Sequence, residues 1–407
     1  MPMPTPNPFV VIACGGTGGH LFPGIAIAEA LQQKACDIAL IVSPKEVDQE
    51  AVKSATGFEV RTLPTIALQD GNWTAFVRGC WASYRICARG FKARQPDAVL
   101  AMGGFTSAPP ILAGKFAGAA TFLHESNAIP GRANRWLAPL VDQIFVGFQM
   151  ATRRLRHQSV KVVGTPVRPA FSPLETAACR MALGLNPAKP VLLVMGGSQG
   201  ASGINDLLRQ ALPILSARLP ELQFVHLTGS SDKEKVAADY ALHKRRAVVF
   251  PFLTEMELAL GAATIALSRS GASSLAEFAA MRLPAILIPF PSAADNHQFY
   301  NARAFAETGA AVQLDQASVT LEKLTDQIVL LIEDTKARVA MTSALERWHY
   351  PDAAEEVAKS ILRRLGVADV GPPVHKPEDS KSLGSSSLKE PPGREVNPQL
   401  CLSRSNL

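Results

Sequence analysis

The chain has 407 residues, 47% hydrophobic and 19% charged, which suits two domains with sizeable cores and excludes a mainly disordered, collagenous or coiled-coil protein. Its six cysteines (Cys14, Cys36, Cys80, Cys87, Cys179 and Cys401) show no zinc-ligand spacing and no dense cluster, so a reducing compartment and no metal site are expected. The net charge of +6 lies wholly in residues 1–167, with 16 Lys and Arg against 10 Asp and Glu, so an anionic partner is expected there.

Residues 1–8, rich in proline and without a basic stretch, read as a flexible lead and not as a signal peptide. Short apolar runs at 9–14, 37–42, 98–102, 121–124, 143–146 and 160–163 then alternate with helix-length segments. A second series follows at 191–195, 223–227, 247–250, 264–267, 285–288 and 311–314. Strands of about five residues alternating with helices predict parallel sheets covered on both faces. Each series opens on a strand that runs into glycines: Gly15-Gly16-Thr17-Gly18-Gly19-His20 in the first, Gly196-Gly197-Ser198-Gln199-Gly200 in the second. The predicted fold is therefore α/β, with two doubly wound Rossmann-like domains facing across a cleft. Gly164, Pro166 and Pro169 stop the last strand of the first series and place the boundary between domains 9–167 and 168–365. Residues 366–407 hold no Phe, Trp or Tyr and many Pro, Ser and Gly, and read as a disordered tail. The most apolar region, 98–123, is broken by Gly103-Gly104, Pro109-Pro110 and Lys115 and does not fit a membrane span.

A glycine loop between strand and helix lets backbone amides approach an anion at the helix N-terminus. Neither loop fits the dinucleotide pattern G-x-G-x-x-G, since Leu21 stands where the first would need its third glycine, and no P-loop pattern occurs. His20 directly follows the first loop, and its imidazole is placed to reach what that loop holds. Gly103-Gly104-Phe105 and His124-Glu125-Ser126-Asn127 also fall at strand ends, where doubly wound folds bind ligands. In the second half, Ser268 to Glu277 turns from a strand into a helix; its small residues expose amides suited to phosphate, and Glu277 is placed to accept bonds from sugar hydroxyls. Asp295-Asn296-His297-Gln298 opens the next helix; each element alone could be helix capping, and together, facing a glycine loop, they favour a nucleotide site.

Between Trp73 and Arg94, apolar residues recur at helical spacing (Trp73, Phe76, Val77, Cys80, Trp81, Tyr84, Cys87, Phe91), with Arg78, Arg85, Arg89 and Lys92 on another side. A basic amphipathic helix carrying tryptophan is the pattern of peripheral membrane binding. The alternative is a helix packed on the sheet with a solvated basic face. No recognised DNA- or RNA-binding motif accompanies it, so no nucleic-acid partner is expected.

Gly15 to His20 with Pro23, Gly103-Gly104, His124-Glu125-x-Asn127, Gly164-x-Pro166-Val167-Arg168, Gly196 to Gly200, Arg269-Ser270-Gly271-Ala272 and Gln298 with Asn301 together closely resemble the MurG family of bacterial glycosyltransferases, in order from about Phe9 to Leu365. The resemblance implies a GT-B fold and transfer of N-acetylglucosamine, with inversion, from UDP-N-acetylglucosamine to the muramoyl 4-hydroxyl of undecaprenyl-linked lipid I, giving lipid II for peptidoglycan. It implies donor contacts at Thr17, Gly18, Gly19, Asn127, Arg168, Ser198, Leu253, Ala272, Ser273, Ser274, Leu275, Ala276, Glu277 and Gln298. It implies no cofactor, and a peripheral enzyme on the cytoplasmic face of the inner membrane among other cell-wall synthesis proteins. The anionic membrane surface would be met by Trp73, Phe76, Arg78, Trp81, Tyr84, Arg85 and Arg89. His20 and Glu125 are the candidates for the base that the attacking hydroxyl requires. A UDP-sugar epimerase or hydrolase, a glycosyltransferase with a diacylglycerol acceptor, and a non-catalytic UDP-sugar-binding scaffold are the other readings of the same residues.

Overall fold

The computed structural model describes residues 7–16, 18–45, 49, 57–64, 73–196 and 201–367. Thr17 and Ser198, nearly all of the expected lead and the expected tail beyond residue 367 lie outside the described residues. The first domain runs β1 (Phe9–Ala13), α1 (Gly18–Gln32), β2 (Asp37–Val42), β3 (Glu59–Thr62), α2 (Trp73–Ala93), β4 (Ala98–Ala101), α3 (Ala108–Phe116), β5 (Ala120–Glu125), α4 (Arg132–Leu137), β6 (Gln143–Val146), α5 (Gln149–Thr152) and β7 (Val160–Val162). The second opens with α6 (Thr176–Ala182), β8 (Val191–Met195), α7 (Ser202–Arg218), β9 (Gln223–Leu227), α8 (Lys233–Leu242), β10 (Ala247–Phe250) and α9 (Met256–Ala262). It continues through β11 (Ile265–Ser268), α10 (Ala272–Met281), β12 (Ala285–Leu287), α11 (His297–Glu307), β13 (Val312–Gln313), α12 (Leu321–Glu333), α13 (Thr335–Leu345) and α14 (Ala353–Arg364).

Both sheets are parallel throughout, in the orders β3-β2-β1-β4-β5-β6-β7 and β10-β9-β8-β11-β12-β13. The central strands are apolar at every position because they are covered on both faces, and alternate side chains serve opposite cores. Val10 and Ile12 of β1 pack with Leu21 and Ile25 of α1, whereas Phe9, Val11 and Ala13 pack with Cys87 and Phe91 of α2. In the second domain Leu192 and Val194 face α7, and Leu193 and Met195 face α10. The strand order reverses between β1 and β4 and again between β8 and β11, so each sheet carries its ligand crevice at the carboxyl ends of those strands.

Two features depart from the sequence expectation. Strand β3 was not expected: it is an edge strand with Glu59 and Thr62 exposed, so no apolar run announces it. The last helix, α14, was expected with the second domain; it packs on the first, burying Val357, Ala358, Ile361 and Leu362 against the α1 face of the first sheet. Lys34–Glu355 (3.2 Å), Lys161–Glu356 (2.5 Å) and Arg364–Asp142 (3.3 Å) fasten it there. An amphipathic helix carries the same pattern whichever domain covers its apolar stripe, which is why periodicity did not assign it. On the return crossing Tyr350 lies against Gly164, whose φ of +81° and closeness to that ring both exclude a side chain. Phe148 of the first domain joins Phe305 and Trp348 of the second in an aromatic contact, with the latter two rings stacked 4.3 Å apart.

Candidate functional site

Between the two crevices lies one cavity of about 1630 Å³, walled by both domains. Gly18, Gly19, His20, Glu125, Asn127, Arg168, Leu253, Ala272, Ser273, Ser274, Glu277 and Gln298 all line it. Residues scattered over some 280 positions are thus brought to one space. Leu275 and Ala276 do not line it: Leu275 is buried in the core on the sheet side of α10, one hundred degrees per residue from Ser274. Their expected donor contacts therefore reduce to backbone.

On the first domain's side, α1 begins at Gly18, and the turn at Gly103-Gly104 folds over against the His20 ring. Gly103 has φ +107°, and a Cβ there would come within 2.9 Å of His20 Cε1, so the turn needs glycine both for its backbone and for the imidazole. Thr106 Oγ1 donates to the Gly15 carbonyl (2.7 Å) and the Gly103 amide donates to Ser107 Oγ (3.1 Å), tying the two glycine turns together.

Glu125, 1% exposed, accepts four N–H donors: the Asn127 amide (2.8 Å) and Asn127 Nδ2 (3.1 Å) on Oε1, the Gly131 amide (2.9 Å) and Asn134 Nδ2 (2.8 Å) on Oε2. Four donors fill what a carboxylate can accept. This carboxylate fastens the loop after β5, and that occupancy counts against it as one of the two candidate bases. Neighbouring His124 is fully buried, which lowers its pKa to about 4 despite its bond to the Gly164 carbonyl; the charge of His20 adds to the lowering. Neutral, it donates from Nε2 to that carbonyl (3.0 Å) and accepts from Ser126 Oγ at Nδ1 (3.2 Å), binding β5 to the interdomain linker.

On the second domain's side, α10 starts after Gly271 in extended conformation with no side chain capping it, so its first-turn amides face the cavity. Arg269, 6% exposed, lines the cavity beside them; its guanidinium donates to the carbonyls of Ile288 (3.0 Å) and Pro289 (3.2 Å), and its Nε is buried without a hydrogen-bond partner among the described residues. Burial lowers its pKa to about 10, which still leaves it a cation. Arg168, from the linker, sits over the rings of Phe22 and Phe171 at 5.1 and 5.0 Å. Two helix N-termini and two partly desolvated cations give this space a positive potential that suits a diphosphate. Glu277 lies deeper along α10. Burial pushes its carboxyl up to about 7; Arg168 draws it back and Glu257 pushes it further.

The domains are linked across the site. Ser273 Oγ donates to the Gly19 carbonyl (3.1 Å), so the starts of α10 and α1 meet. Buried Asn301 accepts from the Ala128 amide (2.8 Å) and donates to Asn127 Oδ1 (3.0 Å) and the Ser270 carbonyl (3.1 Å). Gln298 Oε1 accepts from the amides of Ser270 (3.3 Å) and Phe290 (3.0 Å). At the mouth Asp295 pairs with Arg135 (2.7 Å) and Arg132 (3.7 Å).

Helix α2 was expected to present one apolar face to a membrane, and the structure divides that face. Cys87 and Phe91 are in the core, with Tyr84 packed against it; Val77 and Trp81 point outward, 58% and 61% exposed. Trp81 stacks on Tyr84 at 5.7 Å, and Phe76 lines the cavity. Arg78, Arg85 and Arg89 are exposed; the Trp73 side chain lies outside the described residues. Phe116 and Trp136, 81% and 75% exposed, extend the apolar surface on the same domain, and no helix among the described residues is long and apolar enough to cross a membrane. Sequence reasoning gave no role to Asn134, Phe171, Leu112 or Trp136. Trp136 and Leu140 at helical spacing beside Arg132 and Arg135 were the one available signal.

Residues 10–146 match the family described as glycosyltransferase family 28 N-terminal domain, and residues 191–357 match the glycosyltransferase family 28 C-terminal domain. The UDP-N-acetylglucosamine–N-acetylmuramyl-(pentapeptide) pyrophosphoryl-undecaprenol N-acetylglucosamine transferase of Sorangium cellulosum is 37% identical over 368 residues, covering 87% of each chain. The enzyme of the same description from Synechococcus elongatus is 36% identical over 373 residues, covering 89% of this chain and all of its own. Among solved structures, that of Acinetobacter baumannii MurG superposes with a TM-score of 0.69 at 26% identity, covering 88% of this chain and 100% of that one.

Proposed function

The chain belongs to glycosyltransferase family 28, and from that membership and the geometry of its cleft we propose that it transfers N-acetylglucosamine from UDP-N-acetylglucosamine to the muramoyl 4-hydroxyl of lipid I, forming lipid II. The observation that carries this reading is the single cavity joining the α10 start, Arg269 and Glu277 on one wall to His20 and the Gly103-Gly104 turn on the other. A donor and an acceptor held on facing domains can meet without leaving the site, which is the positional advantage a two-substrate transfer needs.

UDP lies along α10, its diphosphate against the first-turn amides and Arg269, its ribose hydroxyls on Glu277. The 4-hydroxyl oxygen bonds to the anomeric carbon from the face opposite UDP as the carbon–oxygen bond to the diphosphate breaks, the electron pair leaving with UDP. One displacement inverts the centre and gives a β-1,4 link. The charge gathering on the leaving diphosphate is stabilised by dipoles and a cation already fixed in place. His20 takes the hydroxyl proton, since Glu125 has its oxygens filled; Glu125 instead positions Asn127.

The acceptor's chain is anchored in a bilayer, so the enzyme docks peripherally on the cytoplasmic face through α2, with Arg78, Arg85 and Arg89 meeting anionic headgroups and Trp81 at their level. Labelled UDP-N-acetylglucosamine incubated with and without lipid I tests the reaction. Label entering lipid only when lipid I is present supports it; donor turnover indifferent to lipid I, or transfer to diacylglycerol instead, overturns it.

A further inference from the structure

Beyond the glycine turn the cavity does not end. Three pairs of residues spaced four apart, hence one turn apart on one face, line its extension: Phe76 and Cys80 on α2, Ala108 and Leu112 on α3, and Trp136 and Leu140 on α4 and the 3-10 turn after it. Phe105, next to Gly104 and with its ring against Gly16, lines the same cavity. Helices α2 and α3 pack on each other, and Lys115 Nζ donates to the Leu140 carbonyl (2.5 Å), holding the third wall to α3. Pro109 and Pro110 occupy the first turn of α3 and remove two of its amide donors, so the helix offers an apolar face with little to hold a second anion. The same three helices carry exposed apolar surface: Trp81 and Phe116, both against the Tyr84 ring, and Trp136, which also lines the cavity.

Resting on the function proposed above, we infer that this groove is a subsite for the isoprene units of the acceptor nearest its diphosphate. The occupant follows from the order of chemistry along one continuous space: a reacting hydroxyl at His20, anion-binding amides at the glycine turns, an apolar slot, then a surface suited to a bilayer. An amphiphile with a diphosphate followed by an unsaturated hydrocarbon chain fits that order; a free sugar nucleotide or a peptide segment does not. The first isoprenes are held by protein and only the remainder by lipid, which lifts the diphosphate clear of the headgroups.

Transfer to two soluble acceptors tests this with the full chain in buffer free of detergent and vesicles: muramoyl-pentapeptide diphosphate esterified with ethyl, and the same head carrying two isoprenes. At about fourfold in affinity per buried methylene, burying even two gives the prenyl acceptor a KM about tenfold or more below that of the ethyl acceptor. Leu112→Trp and Cys80→Trp, each filling the groove, bring the ratio of the two KM values to about one while vesicle binding stays as in the wild type. Trp81→Ala, on the exposed surface of α2, weakens vesicle binding and keeps the ratio. A wild-type ratio near one, or a ratio of ten that persists in both groove variants, overturns the inference. If neither acceptor receives sugar, the transferase reading fails and this inference with it. Cys80 gives a second readout independent of turnover. In a Cys401→Ser background, geranyl diphosphate should slow maleimide labelling of Cys80 at least about threefold and inorganic diphosphate should not; equal labelling rates overturn the inference.

Discussion

The β4–α3 corner of the first domain and the β11–α10 corner of the second occupy equivalent places, each just across the point where strand order reverses, yet they offer opposite chemistry to the same cavity. Helix α10 begins Gly271-Ala272-Ser273-Ser274, with amides to donate, a buried arginine behind it and Glu277 further along. Helix α3 begins Ala108-Pro109-Pro110, two of whose residues have no amide hydrogen, and continues with Leu112 facing the cavity. The doubly wound sheet fixes where a ligand sits; the residues of the corner decide whether an anion or a hydrocarbon is welcome. On the function proposed above, one copy of the architecture serves a nucleotide diphosphate and the other a lipid-linked acceptor.

Changes on either wall test that division. The largest effect is expected from His20→Ala, which should lower turnover about 10²–10⁴-fold if the imidazole takes the hydroxyl proton, measured as lipid II formation at saturating substrates. A near-normal rate would remove His20 from the role of base. Next, Arg78, Arg85 and Arg89 changed together to Glu should weaken partition onto anionic vesicles at least about 100-fold, since each cation near such a surface contributes about 1 kcal/mol. High salt should do the same to the unaltered protein. Binding that survives both would make α2 a packing helix only.

Asn301→Ala withdraws an acceptor from the Ala128 amide and should cost about 1–3 kcal/mol in urea unfolding, because the groups it leaves are buried. An unchanged midpoint would show that this interdomain network does not hold the walls together. Glu277→Gln separates charge from shape. With the carboxyl pushed up to about 7, wild-type donor affinity should rise several-fold from pH 6 to 8 as the carboxylate forms, and the Gln variant should stay flat. The sign for stability is the reverse. A carboxyl whose folded pKa lies above its unfolded one favours the fold at low pH and loses that contribution as pH rises through about 7, so the thermal midpoint of the variant should gain on the wild type between pH 5 and 8. Parallel curves would contradict the assignment. Asp295→Asn, at the mouth, should change donor KM no more than about fivefold, because its partners are partly exposed and such pairs contribute about 0.2–1 kcal/mol.

Both doubly wound domains were legible in sequence because central parallel strands such as Phe9–Ala13 and Val191–Met195 are apolar without interruption and run into glycine. The edge strand β3 was not, since an exposed edge needs no apolar run, and α14 was given to the wrong domain because an apolar stripe does not say what will cover it. That the start of α10 would face the cavity was readable from small residues ahead of Glu277, although Leu275 turned into the core as helical geometry requires. Glu125 shows the limit: residue type marked it as a base, and only the four donors around it reveal its oxygens as occupied. Asn301 stood in the recognised pattern, but its placement between the walls depends on a contact across 174 positions, which spacing alone cannot supply.

The division between the walls is tested most directly by the dissociation constant for UDP-N-acetylglucosamine, measured by calorimetry at pH 8 on the wild type, His20→Ala and Glu277→Gln. A value within about threefold of wild type is expected for His20→Ala, and at least about tenfold weaker binding for Glu277→Gln, the loss expected when a carboxylate acceptor of sugar hydroxyls is removed. Equal weakening in both, or full affinity in Glu277→Gln, would contradict that division.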